Sequence, residues 1–365
     1  MLRFRDGKFK IMQVADVQEV PQVSPDTVKL LTLAIEREQP DLIVFTGDQV
    51  YGLIPLFFLG DNERNVRRTL QRILAPAEEA GIPFAVTFGN HDDQAGLTNA
   101  EQAKLYAEFP HYLRGERRGD DDPGTLLLTV QNSEGADAVN VLLVDSNGQR
   151  GTGEYLPVKP EQLSWIKEKL EARPLPTFVF QHIPVPEYYH VLERAKRTTK
   201  GAVEAFRTHA HEYYVLPHTL REAGGFMGET PAVPDENSGE FEILKQSGCV
   251  KGLFVGHDHN NSFVSELDGI KLIYTQSTGF HAYGPGRKRG VRIIELDERS
   301  PGDFSTHTVT FDDLTKDRLH QPLIPFVLDR LPTTMEQVKR IAALGGIGML
   351  GCGAAVALIY KYRKK

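Results

Sequence analysis

Pro83-Phe84-Ala85-Val86-Thr87-Phe88 runs without a charge into Gly89-Asn90-His91-Asp92. A short apolar run that ends in a turn glycine and then in polar side chains reads as a buried strand bringing those side chains to a sheet edge. The same pattern occurs four more times. Lys10–Ala15 leads to Asp16, Asp41–Thr46 to Gly47-Asp48, Thr177–Gln181 to His182, and Val250–Val255 to Gly256-His257-Asp258-His259. Asp, Asn and His together suit Zn, Fe or Mn better than a thiolate site would. Neighbouring strands lie about 4.8 Å apart, so ligands at successive strand ends can converge. The carboxyl ends of strands are the usual binding edge of an α/β sheet.

The first two ligands stand 32 residues apart and the second and third 42 apart, spacings that fit strand–helix–strand crossovers. Thr27–Glu38 carries Val28, Leu31 and Ile35 on one face and stops before Pro40; Asn65–Ala80 stops at Gly81; Glu161–Ala172 follows Pro160. All three read as helices. Leu126–Val130, Val139–Val144, Ser262–Leu267, Lys271–Gln276 and Val291–Leu296 read as further strands. Alternating elements of this kind imply an α/β layered fold. Residues 184–240, rich in His, Tyr, Pro and Gly, read as an irregular functional surface.

The 365 residues are 40% hydrophobic and 25% charged, as in a soluble globular body. A net charge of −7 argues against specific nucleic-acid binding. Only two cysteines occur, Cys249 and Cys352, far apart in sequence, which argues against a disulfide framework and makes a reducing compartment the simpler reading. Residues 341–360 are uncharged and rich in Ala, Gly, Leu, Ile and Val, with Lys339 and Arg340 before them and a basic tail, 361–365, after them. About 20 such residues span a bilayer as a helix, and five glycines would make a poor buried helix in water. The expected organisation is therefore a folded domain over 1–325, a connector over 326–340, a transmembrane anchor over 341–360 and the tail. The positive-inside rule would draw the basic tail to the cytosol. No export signal is visible in the first residues, which keeps the catalytic body there instead. A membrane protein with a cytoplasmic body is the expectation adopted.

Taken as a set, Asp16, Gly47-Asp48, Gly89-Asn90-His91-Asp92, His182 and Gly256-His257-Asp258-His259 resemble the calcineurin-like metallophosphoesterases over roughly residues 8–300. His182-Ile183-Pro184-Val185-Pro186-Glu187-Tyr188-Tyr189 and Asn237-Ser238-Gly239 are similar to segments of the short purple-acid-phosphatase-like proteins. The resemblance implies a sandwich of two mixed sheets flanked by helices. It implies hydrolysis of a phosphate mono- or diester by a metal-bound hydroxide at a dinuclear centre of divalent or mixed-valence Mn, Fe or Zn. Asp48 would bridge the metals, Asp16 and His259 would hold the first, and Asn90, His182 and His257 would hold the second. His91 would face the phosphate as a catalytic group, and Asp92 would orient it.

The first motif departs from the pattern. The wider family has Asp-x-His where this chain has Asp16-Val17-Gln18. Gln18 offers only a neutral amide oxygen. Tyr51 is a second candidate for the gap, because Gly47-Asp48-Gln49-Val50-Tyr51 matches the Gly-Asp-x-x-Tyr of purple acid phosphatases, and a phenolate favours ferric iron. The alternative expectation is a non-catalytic, membrane-tethered metal-binding module with an impaired first site. Asp145 reads as structural, His281 as a pocket or loop histidine, and Arg287, Lys288 and Arg289 as a solvated basic loop.

Overall fold

A computed structural model describes residues 1–52, 60–150 and 153–332. In chain order the strands are β1 Lys8–Val14, β2 Leu42–Thr46, β3 Phe84–Thr87, β4 Glu116–Gly119, β5 Asp122–Gln131, β6 Asp137–Val144, β7 Thr177–Gln181, β8 Glu193–Ala195, β9 Val203–Glu204, β10 Tyr213–Val215, β11 Phe226–Met227, β12 Val250–Val255, β13 Asn261–Leu267, β14 Ile270–Tyr274, β15 Gly290–Asp297 and β16 Phe304–Thr310. The helices are α1 Pro25–Glu38, α2 Asn62–Ala80, α3 Asn99–Tyr106, α4 Pro160–Ala172, α5 His218–Glu222, α6 Glu240–Gln246, α7 Phe311–Leu314 and α8 Leu323–Leu328.

Two mixed sheets form the body, in the orders β16-β15-β1-β2-β3 and β11-β13-β14-β12-β7-β6-β5-β4. Each has a parallel centre: β1, β2 and β3 in one, and β6, β7, β12 and β14 in the other. Side chains alternate across a strand, and that period sorts the core into layers. Ile11, Val44, Phe178, Phe180 and Phe254 fill the space between the sheets. Phe180 stacks on Phe254 across β7 and β12 at 4.7 Å. The intervening Met12, Ile43 and Phe45 turn outward onto Leu30, Leu31, Leu70 and Ile73 of α1 and α2. Val179, Leu253 and Val255 turn onto Leu163, Ile166 and Leu170 of α4 and Leu244 of α6. The result is the layered α/β sandwich that the sequence implied.

The helices start and stop where local chemistry dictates. Ser24 caps α1 by accepting the Asp26 N–H, with Pro25 in its first turn. Asp61 caps α2, and Gly81 ends it in the left-handed region at φ 68°. The 184–240 stretch is less irregular than expected: β8, β10 and β9 form a small antiparallel sheet of their own.

The body also reaches past the expected boundary at 325, because the Asp329 carboxylate accepts hydrogen bonds from Arg289 and from the Gly284 N–H. Arg289, read as part of a solvated loop, is fully buried. Its guanidinium is spent on the carbonyls of Gly279 and Ala282 as well as on Asp329. Among the described residues no helix is long and apolar enough to cross a membrane. The expected spanning segment, 341–360, lies outside the described residues.

Candidate metal centre

Every parallel strand that the sequence singled out ends on the same edge. Asp16 follows β1, Asp48 follows β2, Asn90 follows β3, His182 follows β7, and His257 and His259 follow β12. The chain must turn sharply there. Asp16, Gln18, Asp48 and His257 all adopt positive φ, at 52°, 38°, 54° and 72°, an uncommon conformation for non-glycine residues that Asp and His tolerate better than most. The glycines of the motifs permit close approach. A Cβ on Gly256 would stand 2.6 Å from the Asp16 carboxylate, and one on Gly89 would strike Asp48.

The edge brings together the side chains expected to bind metal. Ligand atoms of Asp16, Asp48 and His182 all lie within 4.8 Å of one another, and all three residues are buried. His182 Nε2 stands 3.2 Å from Asn90 Oδ1, 3.4 Å from Asp48 Oδ2 and 3.1 Å from His257 Nδ1. His259 Nε2 lies 3.4 Å from Asp16 Oδ1. Two rings are held by carbonyls on their far side, His182 Nδ1 by Thr46 at 3.0 Å and His259 Nδ1 by Tyr283 at 2.6 Å. Such bonds put a hydrogen on Nδ1 and aim Nε2 at the cluster, so Nε2 is the atom that would meet a metal once its proton is displaced.

The electrostatics are those of a cation site. Burial opposes protonation of His182, yet the Asp48 and Asp16 carboxylates push its pKa up to about 10. Burial works against ionisation of Asp48, but His182 and His91 hold its carboxyl well below the usual range. Burial and the neighbouring His182 push His257 well down, to the neutral form a metal ligand needs. Asp16 Oδ1 and His257 Nε2 are two of fifteen buried side-chain polar atoms without a hydrogen-bond partner among the described residues. A converging donor set of carboxylate, amide and imidazole fits divalent transition metals.

Gln18 and Tyr51 occupy the weak corner in different ways. Gln18 Nε2 donates to Asp48 Oδ2 at 2.6 Å, so the amide N–H, not its oxygen, meets the central carboxylate. Tyr51 packs edge-on against His91, ring centroids 5.7 Å apart. Burial and the Asp48 charge push its phenol up from the ordinary value, which favours the neutral hydroxyl.

The expected role of Asp92 is corrected. Its carboxylate does not hold His91. Oδ2 accepts the N–H groups of Asp48 and Gly89, both at 2.8 Å, and Oδ1 accepts those of Gln49 and Val50 at 2.9 and 3.2 Å. Four backbone donors fill both oxygens, so Asp92 clamps the β2 and β3 loops together. His91 is held instead by Gln94, whose Oε1 lies 2.8 Å from Nδ1 and whose Nε2 donates to the Asn90 carbonyl. The His91 N–H donates to Asp48 Oδ1 at 2.8 Å.

Other buried groups around the edge include Glu19 and Glu229, which were not foreseen. Glu19 accepts from the Ser24 N–H and the Thr27 hydroxyl and pairs with His281 Nδ1 at 2.6 Å. His281 is thus a buried partner of an acid, and neither of its expected roles describes it. Glu229 accepts the Asn260 N–H at 3.0 Å; burial raises its pKa against the pull of His259. Asp145 ends β6, where Asn147 and Asn99 satisfy it, in keeping with the structural reading.

Comparison with known proteins agrees with this geometry. A sequence profile of the family described as calcineurin-like phosphoesterase matches residues 9–261. The chain is 31% identical over 340 residues to the Arabidopsis thaliana protein named probable inactive purple acid phosphatase 14, covering 80% of this chain and 77% of that one. It is 26% identical over 328 residues to phosphatase DCR2 of Saccharomyces cerevisiae, covering 80% and 52%. A crystal structure of a dimetal phosphatase from Danio rerio superposes with a TM-score of 0.50 at 15% identity, covering 83% of this chain and 99% of that one.

Proposed function

The chain is a member of the calcineurin-like phosphoesterases, and from that membership we propose that it hydrolyses phosphate esters at the ligand edge. The observation that carries this reading is the buried Asp16–Asp48–His182 cluster, with Asn90, His257 and His259 directly beside it. Asp16, His259 and Asp48 would hold one metal, with Gln18 or Tyr51 at its remaining side. Asp48, Asn90, His182 and His257 would hold the other. Bound metals supply the positive charge that polarises a phosphoryl group and acidifies water.

The chain's own groups do the rest. The bond to Gln94 Oε1 holds a hydrogen on His91 Nδ1, so a proton given to a leaving oxygen would come from Nε2. The Asp92 clamp fixes the two loops that carry Asp48 and Asn90. The substrate is a phosphorylated molecule. Residues 341–360 anchor the chain in a membrane, with the catalytic body on the cytosolic side.

A second reading has specific support: the Gln18 N–H on Asp48 weakens the first position, and three Arabidopsis thaliana relatives, 31%, 28% and 28% identical, carry the words probable inactive in their names. Full-length protein, stripped and reloaded with Mn, Zn or Fe, is to be assayed on p-nitrophenyl phosphate and its diester. The expected result is turnover with at least one metal, lost in His91→Ala at unchanged metal content. No turnover with any metal would leave the non-catalytic module. Iron-loaded protein with a visible charge-transfer band, absent from Tyr51→Phe, would assign Tyr51 as a ligand.

A further inference from the structure

Five large hydrophobic side chains are exposed among the described residues, and four of them belong to one six-residue helix, α8. Leu323 is 75% exposed, Phe326 and Val327 each 55%, and Ile324 36%. Single exposed apolar residues are ordinary, but a contiguous group marks a contact surface. Within α8 only Pro325 is buried, so the helix touches the body along one line and turns the rest outward.

The helix is nevertheless firmly placed. Asp329, directly after it, receives Arg289 Nη2 at 2.6 Å and the Gly284 N–H at 2.9 Å. The same segment carries Tyr283, whose ring stacks on His259 at 4.2 Å. Alpha-helical apolar surface and the ligand edge are thus joined through a buried arginine.

We infer that α8 is a membrane-contacting shoulder whose exposed face enters the headgroup–acyl boundary of a bilayer. The chain that follows identifies the occupant. Residues 329–340 separate α8 from the uncharged stretch 341–360, and Lys339 and Arg340 stand at the junction. Twelve residues reach at most about 40 Å when extended, so any bilayer that 341–360 enters lies within that distance of α8. The composition suits an interface: Leu, Ile, Phe and Val point outward, and Arg330 lies over the Phe326 ring at 3.8 Å. With α8 seated, the ligand edge takes a fixed relation to the membrane surface. The inference rests on the reading of 341–360 as a spanning segment.

The test uses the full chain in nanodiscs of phosphatidylcholine and phosphatidylserine. Val327→Cys carries an environment-sensitive fluorophore in a Cys352→Ser background, leaving Leu323, Ile324 and Phe326 free to insert; Ser300→Cys is the exposed control. Brominated lipids should quench the label at 327 at least about twofold more than the label at 300, and aqueous iodide should do the reverse. A label at 327 open to iodide and indifferent to brominated lipid overturns the inference while leaving the anchor intact. So does a label shielded from both, since the tail or a second copy then covers α8. A full chain that does not co-float with vesicles removes the anchor and the inference together.

Discussion

On one side of the ligand edge, His182 Nε2 stands within 3.2 Å of Asn90 and of His257, a close-set group of potential ligands. On the other, Asp16 and His259 face each other at 3.4 Å, and the third corner is the Gln18 amide, its N–H turned onto Asp48. Beneath each side lies a buried carboxylate. Asp92 supports the first with four backbone N–H groups, none of them titratable. Glu19 supports the second through a hydroxyl, one backbone N–H and the His281 ring. One fold has therefore fixed one half of its site through main chain and the other through side chains. Both supports answer to pH, since burial and the Asp48 charge push the Asp92 carboxyl up to about 8, but only the second depends on a distant side-chain partner, His281.

The sharpest way to break this comparison is at His91, which touches the shared Asp48 from the backbone and serves both halves. His91→Ala should lower phosphatase turnover by about 10²–10⁴-fold while leaving metal content unchanged by elemental analysis. Loss of metal along with turnover would mean that His91 supports the centre and does not act in the chemistry.

The next effect separates the two supports. Removing one partner of a buried ion pair costs about 3 kcal/mol or more, so His281→Ala should lower the denaturant midpoint clearly. The pH dependence has a definite sign. Burial lowers the His281 pKa, but Glu19 raises it further, so the net shift is upward. Its stabilising contribution is then complete below its ordinary value near 6.5 and is lost as pH rises through the raised folded value. The gap between wild type and His281→Ala in urea titrations should narrow from pH 6 to pH 9. A gap that widens would show that His281 is neutral in the native state.

Much of the site was legible in the sequence because its ligands end apolar runs of strand length, a local signal. The strand ends, the crossovers and the layered fold follow from that one period. The supports left no such signal. Glu19 and His281 lie 262 positions apart, so no spacing links them. Arg289 sat in a basic run that composition alone reads as solvated. Gln94 was hidden for another reason: it lies in the short 3₁₀ turn Asp93–Ala95, where a glutamine looks like ordinary surface. Asp92 was placed correctly and given the wrong partner, because adjacency to His91 in sequence says nothing about where four backbone N–H groups converge. Gln94→Ala tests that reassignment. Freed from its partner, the His91 ring should lose about 10-fold or more in turnover. Gln94→Glu should restore most of it, with a changed pH profile. Full activity in Gln94→Ala would return the orienting role to another group.

The smallest expected effect bears on the weak corner itself. Gln18→His replaces an amide that donates to Asp48 with an imidazole able to offer a lone pair. Imidazole is the better ligand for Zn, Fe and Mn, and a neighbouring carboxylate would raise its basicity. The φ of 38° at residue 18 is no obstacle, since histidine tolerates the left-handed region. Metal affinity at the first position should rise about tenfold, read as a second transition in a calorimetric titration that sharpens relative to wild type. Gln18→Ala is the opposing variant: it removes the N–H from Asp48 and adds no ligand, so the first position should weaken or stay as it is. If Gln18→His leaves the titration unchanged, another side chain already completes the first position. Tyr51, packed on His91 and within the field of Asp48, is then the group to remove next.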